Sequence, residues 1–164
     1  MKKKKWAAVS LIIILCIAIP IITIYFCNCG RDINKLIYQL ENAINKHDIE
    51  KIIALYPDYC KEKATDYFSQ DKLDDFYNNV IINGGEDIKI QILYTTSFDI
   101  SSCDNIMKQI ASDYHQDIII EDYQKVVIKY HEDFGESSLQ VIKINGDYYL
   151  YFYGHIGEPL DYFH

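Results

Sequence analysis

The chain has 164 residues, 24 of them acidic and 16 basic, for a net charge of −8, and 49% of it is hydrophobic. That length holds one ordinary domain plus an appendage, not two domains. The charge excludes nucleic acid and an anionic membrane surface as electrostatic partners, since both select basic patches.

Lys2 to Lys5 form a basic run, and Trp6 to Phe26 follow without a charged residue over 21 positions. As a helix that stretch is roughly 30 Å long at ~1.5 Å per residue, about the thickness of a bilayer's hydrocarbon core. Trp6, Tyr25 and Phe26 sit where interfacial aromatics lie, and the lysines place the N-terminus in the cytoplasm and everything after residue 30 outside. The expected layout is a cytoplasmic tail at 1–5, a transmembrane signal anchor at 6–27, a linker at 28–31 and an extracytoplasmic domain at 32–164. Cleavage as a signal peptide and lipidation at Cys27 or Cys29 are the competing fates. The apolar run is long for a cleaved leader, and Phe26 and Asn28 are poor neighbours for a lipidated cysteine. All 24 acidic residues fall after residue 30, against 12 basic ones, so the domain carries −12.

Asp32 caps an amphipathic helix with Ile33, Leu36, Ile37, Leu40 and Ile44 on one face. Asp48 opens a second, with Ile49, Ile52, Ile53 and Tyr56, which Pro57 closes. A third runs from Asp58 to Phe68, and a fourth from Asp71 to Ile82 turns Leu73, Phe76, Tyr77, Val80 and Ile81 inward. Gly84-Gly85 ends the helical pattern.

The period then becomes two: Ile88, Ile90, Ile92 and Tyr94 alternate with Lys89 and Gln91 as in a half-buried strand. Ser101 with Asp104 resembles a capping box for a helix carrying Ile106, Met107, Ile110 and Tyr114. Residues 118–120 and 125–131 are strand-like. Leu139–Ile144 and Tyr148–Tyr153 flank Asn145-Gly146, a pair that supplies the positive φ values of a two-residue hairpin turn. Helices followed by hairpin-linked strands give an α+β fold: a transmembrane helix, then one domain with helices packed on a curved antiparallel sheet.

This order resembles the nuclear transport factor 2-like, or cystatin-like, superfamily. The resemblance rests on the helical segment "LIYQLENAINKHDIEKIIALYP" after Lys35 and on the closing hairpin "SSLQVIKINGDYYLYF". It is nearest in kind to small anchored or lipidated proteins of low-GC Gram-positive bacteria. It implies a curved sheet around a long helix, with a conical cavity open at one end. The superfamily includes isomerases that use an aspartate base with a tyrosine and an acid as oxyanion hole, interaction subunits, and components of secretion channels. Tyrosine and aspartate are too abundant here to place those roles residue by residue.

No chemistry stands out from the side chains. The five histidines lack metal-ligand spacing, no metal site or cofactor is expected, and the serines lack a nucleophile-elbow context. Cys60 and Cys103 suit two buried thiols, or a disulfide in an oxidising exterior. Fifteen tyrosines include Tyr94, Tyr130, Tyr149, Tyr151 and Tyr153 on the predicted strands, candidates to line a ligand-binding concavity with their hydroxyls. The expected function is a non-catalytic interaction or assembly module, bound to the membrane through its N-terminal helix, with a protein partner or a second copy. The alternative is a small-molecule-binding or enzymatic cavity.

Overall fold

The structure is a computed structural model and describes residues 31–81, 87–131 and 135–151. The anchor at 6–27, Gly84-Gly85 and Tyr153 lie outside the described residues. Among the described residues, no helix is long and apolar enough to cross a membrane.

The first helix, α1 (Ile33–Asn45), starts as expected: Asp32 is extended, and its carboxylate accepts the Lys35 amide at 2.7 Å. It buries Leu36, Ile37, Leu40, Ala43 and Ile44. His47 ends it in the left-handed region (φ 51°), with the His47 amide donating to Ile44 and the Asp48 amide to Ala43. Those two bonds are a Schellman closure, in which glycine is the usual left-handed residue. Tertiary contacts hold the histidine there: Nδ1 lies 2.7 Å from Asp74 Oδ1, and the ring packs on Tyr77 at 4.2 Å.

Asp48 accepts the Lys51 amide and caps α2, which spans Ile49–Ile53 only. Tyr56, expected on that helix, lies in the following turn and is fully buried. The predicted third helix divides into a 3-10 turn at Asp58–Cys60 and α3 at Lys61–Tyr67. The fourth, α4 (Gln70–Ile81), starts where the Ser69 hydroxyl accepts the Lys72 amide.

Four antiparallel strands follow in the order β1 (Gln91–Ser97), β2 (Asp122–Lys129), β3 (Ser137–Ile144) and β4 (Asp147–Leu150), with α5 (Ile100–Tyr114) between β1 and β2. β1 begins later than the alternation predicts. Asn45 brackets Ile88 through both its amide and carbonyl groups, and Glu41 accepts the Ile90 amide at 2.7 Å. These residues are hung on α1 instead of joining the ladder. Residues 118–120 form a connection and not a strand.

The α+β class holds, but α5 takes the opposite side of the sheet from the other helices. Helices α1–α4 pack on Val126, Ile128, Leu139, Val141 and Leu150. On the other face, Cys103, Ile106 and Ile110 of α5 meet Tyr123, Ile142 and Tyr151. The run Val126-Val127-Ile128, buried at all three positions, carries the reason: a strand apolar on both sides needs cover on both.

Candidate functional site

Strand alternation separates the candidate tyrosines. Tyr130 is fully buried on the α1–α4 side, edge-on to Phe76 at 5.1 Å. Tyr151 is buried on the α5 side, near-perpendicular to Tyr123 at 5.8 Å. Tyr149 is half-buried on that same side, with the Arg31 guanidinium 4.3 Å from its ring centre. Tyr94 is 54% exposed. Its place follows from a β-bulge: Ile92 pairs with Ile128 but Tyr94 with Val127, so Leu93 is an extra residue. One inserted residue turns the next side chain to the other face. Tyr94 therefore leaves the core side that Ile92 occupies. The sheet thus stands between Tyr130 and the side that Tyr149 and Tyr151 face.

Among the described residues, the clefts include two that bear on the candidate residues. One, of about 680 Å³, is lined by charges of both signs, among them Glu41, Asp87, Lys89, Lys129 and His131. The second, of about 360 Å³, lies between the 3-10 turn and the hairpin tip and includes Tyr59, Ile118, Ile119, Ile144 and Tyr149. The Tyr59 hydroxyl is buried without a hydrogen-bond partner among the described residues, and burial pushes its pKa up. Tyr148 is pushed up as well, by burial first and then by its hydrogen bond to Asp122, which also accepts from Gln124. That tyrosine–aspartate pair is engaged within the sheet, in a cross-strand polar network. Cys60 and Cys103 are buried thiols in separate clusters, not joined by a disulfide. Among the described residues, no group of three or more His, Cys, Asp or Glu side chains could hold a metal ion.

The exposed apolar residues concentrate elsewhere. Tyr94 (54% exposed), Phe98 (39%) and Ile100 (82%) follow one another along β1 and into the start of α5. Phe98 lies flat on Tyr123 with ring centres 4.1 Å apart, and its amide donates to the Tyr123 carbonyl at 2.9 Å. That bond sets the phase of the ladder. Counting back in twos, Thr96 and Tyr94 turn their backbone groups toward β2, while Thr95 and Ser97 turn theirs outward. Among the described residues, no strand pairs with that outer side of β1. The other edge of the sheet is covered: the Tyr148 amide donates to the Arg31 carbonyl at 2.7 Å and the Leu150 amide to the Leu55 carbonyl at 3.0 Å. Arg31, expected in the linker, is thus bound into the domain.

Beside Tyr94 and Thr96 on the same face stand Lys125 and Lys129 of β2, one exposed and one half-buried. Phe98 and Ile100 carry no mark in the sequence, because they continue the even-numbered alternation of Ile88 to Tyr94 and Ile100 also falls on the stripe of Cys103, Met107 and Ile110. Lys125 and Lys129 carry none either, because only the strand register brings them beside Tyr94. No family model, curated protein or solved structure matches this chain.

Proposed function

We propose that this chain is a non-catalytic interaction module, held at the cell membrane by residues 6–27, with an acidic domain of the nuclear transport factor 2-like kind outside. The observation that carries the interaction reading is the row Tyr94, Phe98 and Ile100 beside an edge strand whose outer side has no strand partner among the described residues. Exposed apolar side chains grouped at one place mark contact sites more often than chance exposure does. An uncovered strand edge adds backbone donors and acceptors that a partner strand can take. The uncharged span at 6–26 after four lysines supports the tether and the outward orientation. The family reading rests on the order of helices first, then antiparallel strands interrupted by one helix.

A photo-crosslinking residue placed at Tyr94 or Phe98 in the intact membrane tests the interaction. The expected result is a discrete heavier species that is missing when the same residue replaces Tyr38, which is 64% exposed on α1. Identical adducts at both places, or none at either, remove the interaction reading. Protease added to intact protoplasts tests the orientation, since digestion of residues 32–164 is expected and protection reverses it.

The ligand-binding alternative keeps one observation in its favour: the 360 Å³ cleft, within the size of small-molecule sites, contains Tyr149. Substituting Ile119 and Ile144 in that cleft by aspartate leaves crosslinking at Tyr94 unchanged under the first reading.

A further inference from the structure

We infer that the outer edge of β1 accepts an extended, acidic segment of a partner protein, added to the sheet as a fifth strand. The inference rests on the interaction reading above and specifies the partner's chemistry. β1 is seven residues long and its sequence, QILYTTS, contains no charge and no proline. Edge strands are ordinarily blunted by lysine, proline or a bulge. β1 uses only the bulge at Leu93, which leaves Tyr94 to Ser97 in regular register. The outward amides of Thr95 and Ser97 fall in that regular stretch.

Charge selects the occupant. Lys125 and Lys129 stand one strand inside the edge, on the face that carries Tyr94; Lys129 also lines the cleft that holds Glu41 and Asp87, so Lys125 is the more available of the two. Neighbouring strands are about 4.8 Å apart, so an added strand lies roughly 10 Å from β2. Lysine and glutamate side chains together can span that distance. An incoming strand with acidic residues at alternate positions would meet Lys125 and Lys129 on one face, with Tyr94 packing between them. The domain's net charge of −12 does not cancel this, because screening limits exposed charges to about 8 Å at physiological salt. The acidic group next to Phe98, Asp99, already accepts from the Ser102 amide and from the Ser101 and Ser102 hydroxyls. A second copy of the chain fits less well. Its own β1 brings no acidic residue, so a β1-to-β1 pair leaves the lysines of both copies unmatched.

The test uses the full chain in detergent and two labelled peptides of the same length as β1. One alternates valine with glutamate, and the other alternates valine with lysine. The acidic peptide should bind at least about tenfold tighter, as electrostatic complementarity requires, with the preference shrinking as salt rises. Lys125→Glu with Lys129→Glu should reverse the preference. Thr95→Pro should abolish binding of either peptide, since it deletes an outward amide and leaves the β1–β2 ladder its bonds. The charge-reversal pair keeps the inference open to refutation if Thr95→Pro fails to fold. Absent binding of the acidic peptide, equal binding of both, or indifference to the charge reversal each overturns it. So does concentration-dependent dimerisation through β1 that the acidic peptide cannot compete away, which assigns the edge to a second copy. Specific crosslinks at Tyr94 without acidic-peptide binding reject this inference alone, whereas absent crosslinks reject the interaction reading beneath it.

Discussion

Arg31 and Tyr149 join the start of the domain to its last strand. The guanidinium stands 4.3 Å from the Tyr149 ring centre, while Nε donates to the Tyr148 carbonyl at 2.6 Å. The Arg31 amide also donates to the Asp147 carboxylate. Burial lowers the Arg31 pKa, offset in part by Tyr149 and Asp147. Arg31→Ala removes the side-chain bond and the ring contact but keeps both backbone bonds. A loss of about 1–3 kcal/mol is expected, the sum of one charged hydrogen bond and a cation–π contact. Chemical denaturation of the full chain in detergent measures it. Arg31→Lys should recover only part, because an ammonium lacks the flat fork that lies on the ring. Equal midpoints for all three chains would show that the backbone bonds alone hold this end.

The tyrosines divide into packing residues and surface residues, and stability separates them. Tyr130 is fully buried against Phe76, so Tyr130→Ala should cost about 3–5 kcal/mol, the range for large aromatic truncation. Tyr94→Ala removes an exposed ring and should stay within roughly 0.5 kcal/mol. Comparable losses at both positions would mean that Tyr94 is covered and that the β1 face is not a free surface.

Local chemistry was legible where it is decided within a few residues. Asp32 and Asp48 are short acceptors placed just before apolar periodic runs, and both cap their helices. Asn145-Gly146 forms its turn because the two residue types tolerate positive φ. The position of Tyr94 was not legible, since the Leu93 bulge has no compositional mark and is settled by pairing with β2. The first turn of α5 shows how two local signals compete. Ser101 with Asp104 reads as a capping box, yet Asp99 caps the helix because its carboxylate can satisfy one amide and two hydroxyls together. The proposed contact face belongs with the bulge: Phe98 and Ile100 continue the even-numbered alternation of the strand, their exposure is settled by the fold, and Lys125 and Lys129 join them only through strand register.

That cap predicts a pH dependence with a definite sign. The Asp99 pKa is lowered, chiefly by the Ser102 hydroxyl, then by the Ser102 amide and the Ser101 hydroxyl. A folded pKa below the unfolded one means the stabilisation is complete above the unfolded value. It is lost as pH falls through the folded value. Asp99→Asn keeps an acceptor oxygen but cannot ionise. At neutral pH the wild-type chain should unfold at higher denaturant than Asp99→Asn, and the gap should close below about pH 4, the unfolded aspartate range. Asp48 and Asp74 are lowered too, by Lys51 and His47 respectively, but both chains share them and the difference isolates Asp99. A gap that stays constant across that range rules out the carboxylate as the source. Ser101→Ala should shift the midpoint less than Asp99→Ala, because Ser101 only donates to the cap.

The closing hairpin gives the most local test of the fold. Asn145 has φ 51° and Gly146 φ 84°, both positive, as a type I′ turn requires, and Ile144 pairs with Asp147 across it. A Cβ built on Gly146 meets nothing within 4 Å, so a substitution there is opposed by backbone conformation and not by crowding. Gly146→Val places a β-branched residue where only outliers occur, and should cost on the order of 1–3 kcal/mol. Gly146→Asn adds a side chain that tolerates the left-handed region and should cost clearly less. The Gly146 amide, which donates to Glu121 at 3.0 Å, is present in both variants, so their difference reports φ alone. Denaturation midpoints for the two variants and the wild-type chain decide the matter. Should the valine and asparagine chains unfold together, the turn does not have the conformation described, and the pairing of β3 with β4 must be redrawn.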